Sequence, residues 1–183
     1  MLRVAREHWG QFSLAWMVCA DAESLPLADQ SVDLVFSNLA IQWCSDLRAV
    51  FREFRRILKP GGQVLFSTFG SNTLIELQRA WAVADQYSHV LSFGDVASVK
   101  RDVKDAGFST FELELECQHI SYADVYHLMR ELKGLGAHNV TTGRPRHLVG
   151  KGTFKTMMAA YQHQTKLGGI QASFEIIQGR LRV

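Results

Sequence analysis

The sequence predicts an α/β fold: a mostly parallel sheet with helices on both faces and an antiparallel carboxy-terminal strand. Three observations predict it. Apolar runs of strand length alternate with longer amphipathic segments, the order that winds a parallel sheet through right-handed crossovers. Residues 32–37 and 63–68 are mostly apolar rather than alternating, as in strands covered on both faces. The last two strand candidates, residues 108–120 and 170–183, are separated by helices yet close the chain together, which suits an antiparallel strand inserted at the sheet edge.

The elements follow in order. Residues 1–9 read as the tail of a helix closed by Gly10, residues 14–20 as a buried strand, and residues 21–31 as a polar loop. After the strand at 32–37, Asp46 is a good N-cap. Leu47, Val50, Phe51, Phe54, Ile57 and Leu58 then fall on one helical stripe, with Arg48, Arg52, Glu53 and Arg55 off it. Pro60 cannot continue that helix, and Gly61-Gly62 allow the chain to turn sharply into the strand at 63–68. Helical spacing returns over 73–87 and over 95–106, the latter ended by Gly107. Residues 108–120 alternate partly, as a strand with one wetter face does. A helix over 121–133, a basic glycine-rich loop over 134–152, a helix over 153–167 and the strand at 170–183 complete the chain. A long loop without structure of its own is often functional in a compact domain.

The 183 residues suit one domain. Twenty Lys and Arg against eighteen Asp and Glu give a net charge of +2, no argument for nucleic acid or membrane binding. No apolar run nears the roughly 20 residues of a membrane span, and the charged start does not resemble a secretory signal, so a cytoplasmic location is expected. Cys19, Cys44 and Cys117, odd in number and in apolar surroundings, read as reduced core or near-core thiols. No histidine or cysteine spacing suggests a metal site, and no convincing His–Asp or His–Glu pair marks a general base.

Three segments carry a resemblance. A strand end runs into Cys19-Ala20-Asp21-Ala22, the strand at 32–37 runs straight into Asn38, and a helix closes on Leu58-Lys59-Pro60-Gly61-Gly62 before another strand. In this order they resemble the Rossmann-like class I methyltransferases. Within that class, Ser37-Asn38-Leu39-Ala40-Ile41-Gln42-Trp43 and Leu132-Lys133-Gly134-Leu135-Gly136-Ala137 are similar to the malonyl-acyl-carrier-protein O-methyltransferases of biotin synthesis. The resemblance implies S-adenosylmethionine as cofactor, S-adenosylhomocysteine as its product, and cofactor binding by Asp21, Ala22, Asn38 and Leu39. Asp21 would accept from the adenine amino group; as an alternative it caps its own turn. Asn38 has a second reading too, as a loop residue bonding its own backbone, and Trp43 as a core aromatic.

The implied reaction is methyl transfer to the free carboxyl of malonyl-acyl carrier protein or malonyl-coenzyme A. A carboxylate, with a pKa of about 4, is already ionised near neutrality and needs no general base. It needs a cation to hold it, and Arg144 and Lys133 are the candidates, with Arg146 and His147 behind them. The bland reading of Lys133-Gly134 is a helix end with a snorkelling lysine. Acyl carrier proteins are acidic, so Lys100, Arg101, Lys104, Arg144, Arg146 and Lys151 are candidates for a docking patch, or else a solvated face.

The family's glycine-rich loop, and the acid that binds the cofactor ribose, find no counterpart in these residues. The expectation is therefore a single domain over 1–183, the carboxy-terminal two-thirds of a methyltransferase. Its exposed sheet edge would be a surface for self-association. Two other functions stay open: a methyltransferase of another small molecule, such as a phenol or quinone precursor, and a noncatalytic methyltransferase-like fragment.

Overall fold

The computed structural model describes residue 7 and residues 17–134, 149–163 and 169–183. In chain order these form β1 (Val32–Asn38), a 3-10 turn (Ile41–Trp43), α1 (Leu47–Ile57), β2 (Leu58–Phe69), α2 (Ile75–Ala84), α3 (Val96–Asp105), β3 (Thr110–Tyr122), α4 (Val125–Gly134), α5 (Lys151–His163) and β4 (Ile170–Arg182).

The strands make one sheet in the order β1-β2-β4-β3. β1 and β2 pair in parallel, and β4 runs antiparallel to both its neighbours, so β1, β2 and β3 share a direction that β4 alone reverses. The antiparallel last strand is as expected, but it lies inside the described sheet rather than at an edge. The reason is its length and pattern. β4 pairs with β3 from Ile170↔Tyr122 to Arg182↔Thr110, and its second half also pairs with β2. It buries Ile177 and Leu181 on one face and Ile170 and Ala172 on the other. β3 takes the edge, with Leu115 and Ile120 exposed.

Helix α1 starts where Asp46 accepts from the amides of Arg48 and Ala49 at 2.9 and 3.2 Å, satisfying donors that the first turn leaves free. Its stripe of Val50, Phe51 and Phe54 packs with Val99 and Val103 of α3 onto Val64, Phe66, Ile177 and Leu181 of the sheet. On the opposite face, α2, α4 and α5 gather Leu77, Trp81, Leu128, Met157 and Tyr161 against Ile170 and Ala172. Burial pushes the Tyr161 hydroxyl pKa up, and it donates to the Gln171 carbonyl at 2.9 Å. Helices thus cover both faces.

Some elements differ from expectation. Of the strand expected over 14–20, only 17–20 are described, and these form no ladder. Met17 and Val18 are exposed there, and no strand among the described residues pairs with them. The helix expected over 73–87 stops at Ala84, because Asp85 adopts extended dihedrals at its C-cap. Lys151 and Gly152, assigned to the loop, open α5. Cys19 and Cys117 are exposed and Cys44 is partly buried, all free. Apolar neighbours in sequence did not place the first two thiols in a core. No described helix is long and apolar enough to cross a membrane.

Candidate functional site

The site begins at the carboxyl end of β1, where ligands lie in open α/β sheets. Leu39 takes φ +46, a left-handed conformation costing a non-glycine residue about 1–3 kcal/mol. Its surroundings hold it there. The Leu39 amide donates to the Ser67 carbonyl and hydroxyl, the Ser67 hydroxyl donates to Asn38 Oδ1 at 2.5 Å, and Gln42 Nε2 donates to the Leu39 carbonyl at 2.6 Å. The reversal turns Gln42 and Trp43 toward a cavity. Gln42 Oε1 is buried without a hydrogen-bond partner.

A second segment lies beside this turn. Asp21 Oδ1 accepts from the Glu23 amide at 3.0 Å, so Asp21 does cap its own turn. Glu23 in turn accepts from the Ser45 amide and hydroxyl and from the Asp46 amide. Those bonds, Asp46 first, hold the Glu23 carboxyl below its usual range. Burial, then the charges of Glu23 and Asp21, push the Cys44 thiol up. The Asp21 loop is thereby tied to the start of α1.

The loop from β2 to α2 is fixed by Glu175, whose carboxylate accepts from the Asn72 amide and side-chain amide at 3.0 and 2.9 Å. That loop carries Thr73 and Leu74 into the cavity wall, and α2 adds Leu77. The cavity measures about 780 Å³ and runs from Leu39, Gln42 and Trp43 to α4, where Arg130 and Lys133 stand one helical turn apart. Its remaining walls are mainly apolar, with Phe69, Phe93, Phe154 and Phe174 among them. Volumes of about 300–1,000 Å³ with few polar groups are those of small-molecule sites.

The structure also supplies a pair that sequence reasoning missed. His89 borders the cavity, and its Nε2 lies 2.9 Å from both carboxylate oxygens of Asp85. Its ring stacks on Trp81 at 3.7 Å and 11°. The sequence signal was the spacing Trp81, Asp85, His89, hidden because the helix ends between the first and second of them.

A family profile described as "Methyltransferase domain" matches residues 1–66. The malonyl-[acyl-carrier protein] O-methyltransferase of Methylococcus capsulatus is 43% identical over 97% of this chain and 65% of its own length. That of Nitrosospira multiformis is 44% identical over 88% of this chain and 53% of its own length. Over nearly its whole length the chain is similar to malonyl-[acyl-carrier protein] O-methyltransferases. It spans a little under two thirds of the first relative and about half of the second. The fold is that of class I methyltransferases. YcgJ of Bacillus subtilis matches at TM-score 0.68 and 15% identity over all of this chain and 77% of its own. A Bacillus halodurans protein described as a methyltransferase matches at 0.65 and 22%, over 99% and 78%.

Of the residues expected to bind cofactor or substrate, Leu39 and Lys133 line the same cavity. Asn38 lies one residue away but turns its side chain to Ser67, and Asp21 and Ala22 do not border the cavity. Arg144, Arg146 and His147 lie outside the described residues. Among the described residues the expected basic patch is divided: Lys100, Arg101 and Lys104 sit on α3 and Lys151 on α5, and these helices pack on opposite sheet faces. Arg130, unremarked in the sequence, joins Lys133 instead.

Proposed function

We propose that the chain, read as one domain over 1–183, belongs to an S-adenosylmethionine-dependent O-methyltransferase that methylates the free carboxyl of malonyl-acyl carrier protein or malonyl-coenzyme A in biotin biosynthesis. The observation that carries this reading is the cavity joining the Leu39–Trp43 turn to the Arg130–Lys133 pair through apolar walls. One end suits a methyl donor and the other an anionic acceptor. The cofactor, when bound, supplies an electrophilic methyl on a cationic sulfur and leaves as S-adenosylhomocysteine.

The residues fit it. Asp21 Oδ1 closes its own turn, and Oδ2, with no partner among the described residues, remains to accept from an adenine amino group. Ala22 adds a backbone N–H, and Asn38 and Leu39 shape the opposite rim. Lys133 and Arg130 hold the acceptor carboxylate by charge-assisted hydrogen bonds and leave one oxygen to attack. Arg144 joins them in this reading. Apolar walls exclude water and strengthen those contacts.

Acyl carrier protein is the proposed partner, docking at the mouth where Arg130 and Lys133 are exposed. The place of action is the cytoplasm. Leu34 and Phe36 of β1, 55% and 71% exposed, support self-association through that side of the sheet.

The His89–Asp85 pair favours a second reading, since it is of the kind a general base needs to methylate a neutral phenol or quinone precursor. Methyl-transfer assays on the complete protein separate the two. Transfer to malonyl thioesters but not phenols is expected, and the opposite preference sinks the first reading. Calorimetric binding of S-adenosylmethionine by the 183 residues weaker than millimolar would mark this chain alone as a noncatalytic fragment.

A further inference from the structure

A carboxylate acceptor requires no general base, so the His89–Asp85 pair on the cavity wall calls for another task. The His89 side chain is 7% exposed. Stacking on Trp81 fixes the ring plane and the Asp85 carboxylate fixes its rotation. An ionised carboxylate only accepts, so the proton between them sits on Nε2 and leaves Nδ1 as an acceptor in the neutral ring. Nδ1 has no partner among the described residues. On the wall of the cavity, Nδ1 is thus open to a ligand that brings a hydrogen-bond donor.

The ligand is larger than a malonyl group. A cavity of about 780 Å³ accommodates a drug-sized molecule, and a three-carbon diacid unit fills only part of it. Carrier-protein and coenzyme A thioesters both continue beyond sulfur into a flexible arm of the pantetheine type, whose polar groups include secondary amides. An amide N–H is the donor that Nδ1 lacks, and the aromatic walls at Trp81, Phe93 and Phe154 suit its methylene stretches.

We infer that His89 is a substrate-binding residue, accepting at Nδ1 a hydrogen bond from a secondary amide N–H in the thioester's arm, with Asp85 as the positioning residue that sets its tautomer. This rests on the malonyl-thioester reading above.

The test uses the complete protein and two acceptors, the malonyl thioesters of N-acetylcysteamine, which has an amide, and of butanethiol, which has none. His89→Phe keeps the stacking on Trp81 and removes the acceptor. It is expected to lower kcat/KM about fivefold on the amide thioester while leaving the amide-free one unchanged. Asp85→Asn should shift the same ratio in the same direction. Thermal melting of each variant reports folding, and the ratio is insensitive to the amount of active protein. Equal losses on both acceptors, or no loss on either, overturn the assignment of His89 alone. A wild-type protein that methylates neither thioester overturns the substrate reading, and this inference with it.

Discussion

The Leu39 amide reaches Ser67 twice, donating to its carbonyl at 3.1 Å and to its hydroxyl at 3.0 Å. The same hydroxyl donates onward to Asn38 Oδ1, so one serine of β2 holds both the last residue of β1 and the one that follows it. Without that hydroxyl the amide of the left-handed Leu39 keeps only its bond to the Ser67 carbonyl. Ser67→Ala should therefore cost about 1 kcal/mol of stability. If Asn38 and Leu39 bind the cofactor as proposed, it should also weaken S-adenosylmethionine binding, because that segment loosens. Denaturant unfolding and calorimetry on the complete protein check the two effects. Unchanged binding in a destabilised variant would show that the rim does not depend on this anchor.

Lys133 and Arg130 differ from scattered surface charges because they sit one turn apart on α4 and line the same cavity. Charge-assisted hydrogen bonds contribute about 1.5–3 kcal/mol, and solvent at the mouth argues for the lower value. Lys133→Ala is expected to lower kcat/KM for a malonyl thioester about tenfold, mostly through KM, while Lys133→Arg keeps most of it. Arg130→Ala should act alike. Rising salt should shrink the difference between wild type and either variant. Salt-independent losses would point to packing instead.

Much of the fold was legible because its signals are local. Asp46 before a six-residue apolar stripe gave α1, and the mixed apolar runs gave β1, β2 and β4. Element ends were less legible. Ser121 and Tyr122, assigned to a helix, extend β3 because their partners Gln171 and Ile170 lie far along the chain. The candidate site divides in the same way. Leu39 and Lys133 were readable from motif order, whereas Arg130 and His89 acquire meaning only when α2, α4 and the segment after Ala84 converge on one cavity. The four-residue spacing of Asp85 and His89 went unnoticed for a physical reason: it falls past the end of α2, and the turn after Ala84 brings the two together without a helix.

Gly179 of β4 faces Phe66 of β2 so closely that a Cβ there would collide with the ring. Phe66 has no room to withdraw, being buried and packed on Phe51 with ring centroids 5.1 Å apart. Gly179→Ala should cost about 1–3 kcal/mol by overpacking. Combining it with Phe66→Leu, which frees space at that point, should cost less than the two single changes added together. Urea unfolding of the four proteins measures the coupling, and strict additivity would mean that the strands part instead of the ring yielding.

Glu23 ties the Asp21 loop to α1, and its carboxyl is held below the ordinary value of 4.5 by the Asp46 amide first, then by the Ser45 hydroxyl and amide. A group whose folded pKa is depressed contributes stability that is complete above the unfolded value and is lost as pH falls through the folded one. Glu23→Gln keeps an acceptor of similar shape but loses the charge. The variant should melt below wild type near neutrality, and the gap should close on acidification below 4.5 as wild-type Glu23 becomes protonated. Melting temperatures of both proteins across that range provide the check. A gap that stays constant into acid would show that the shape of the side chain, and not its charge, fastens the loop.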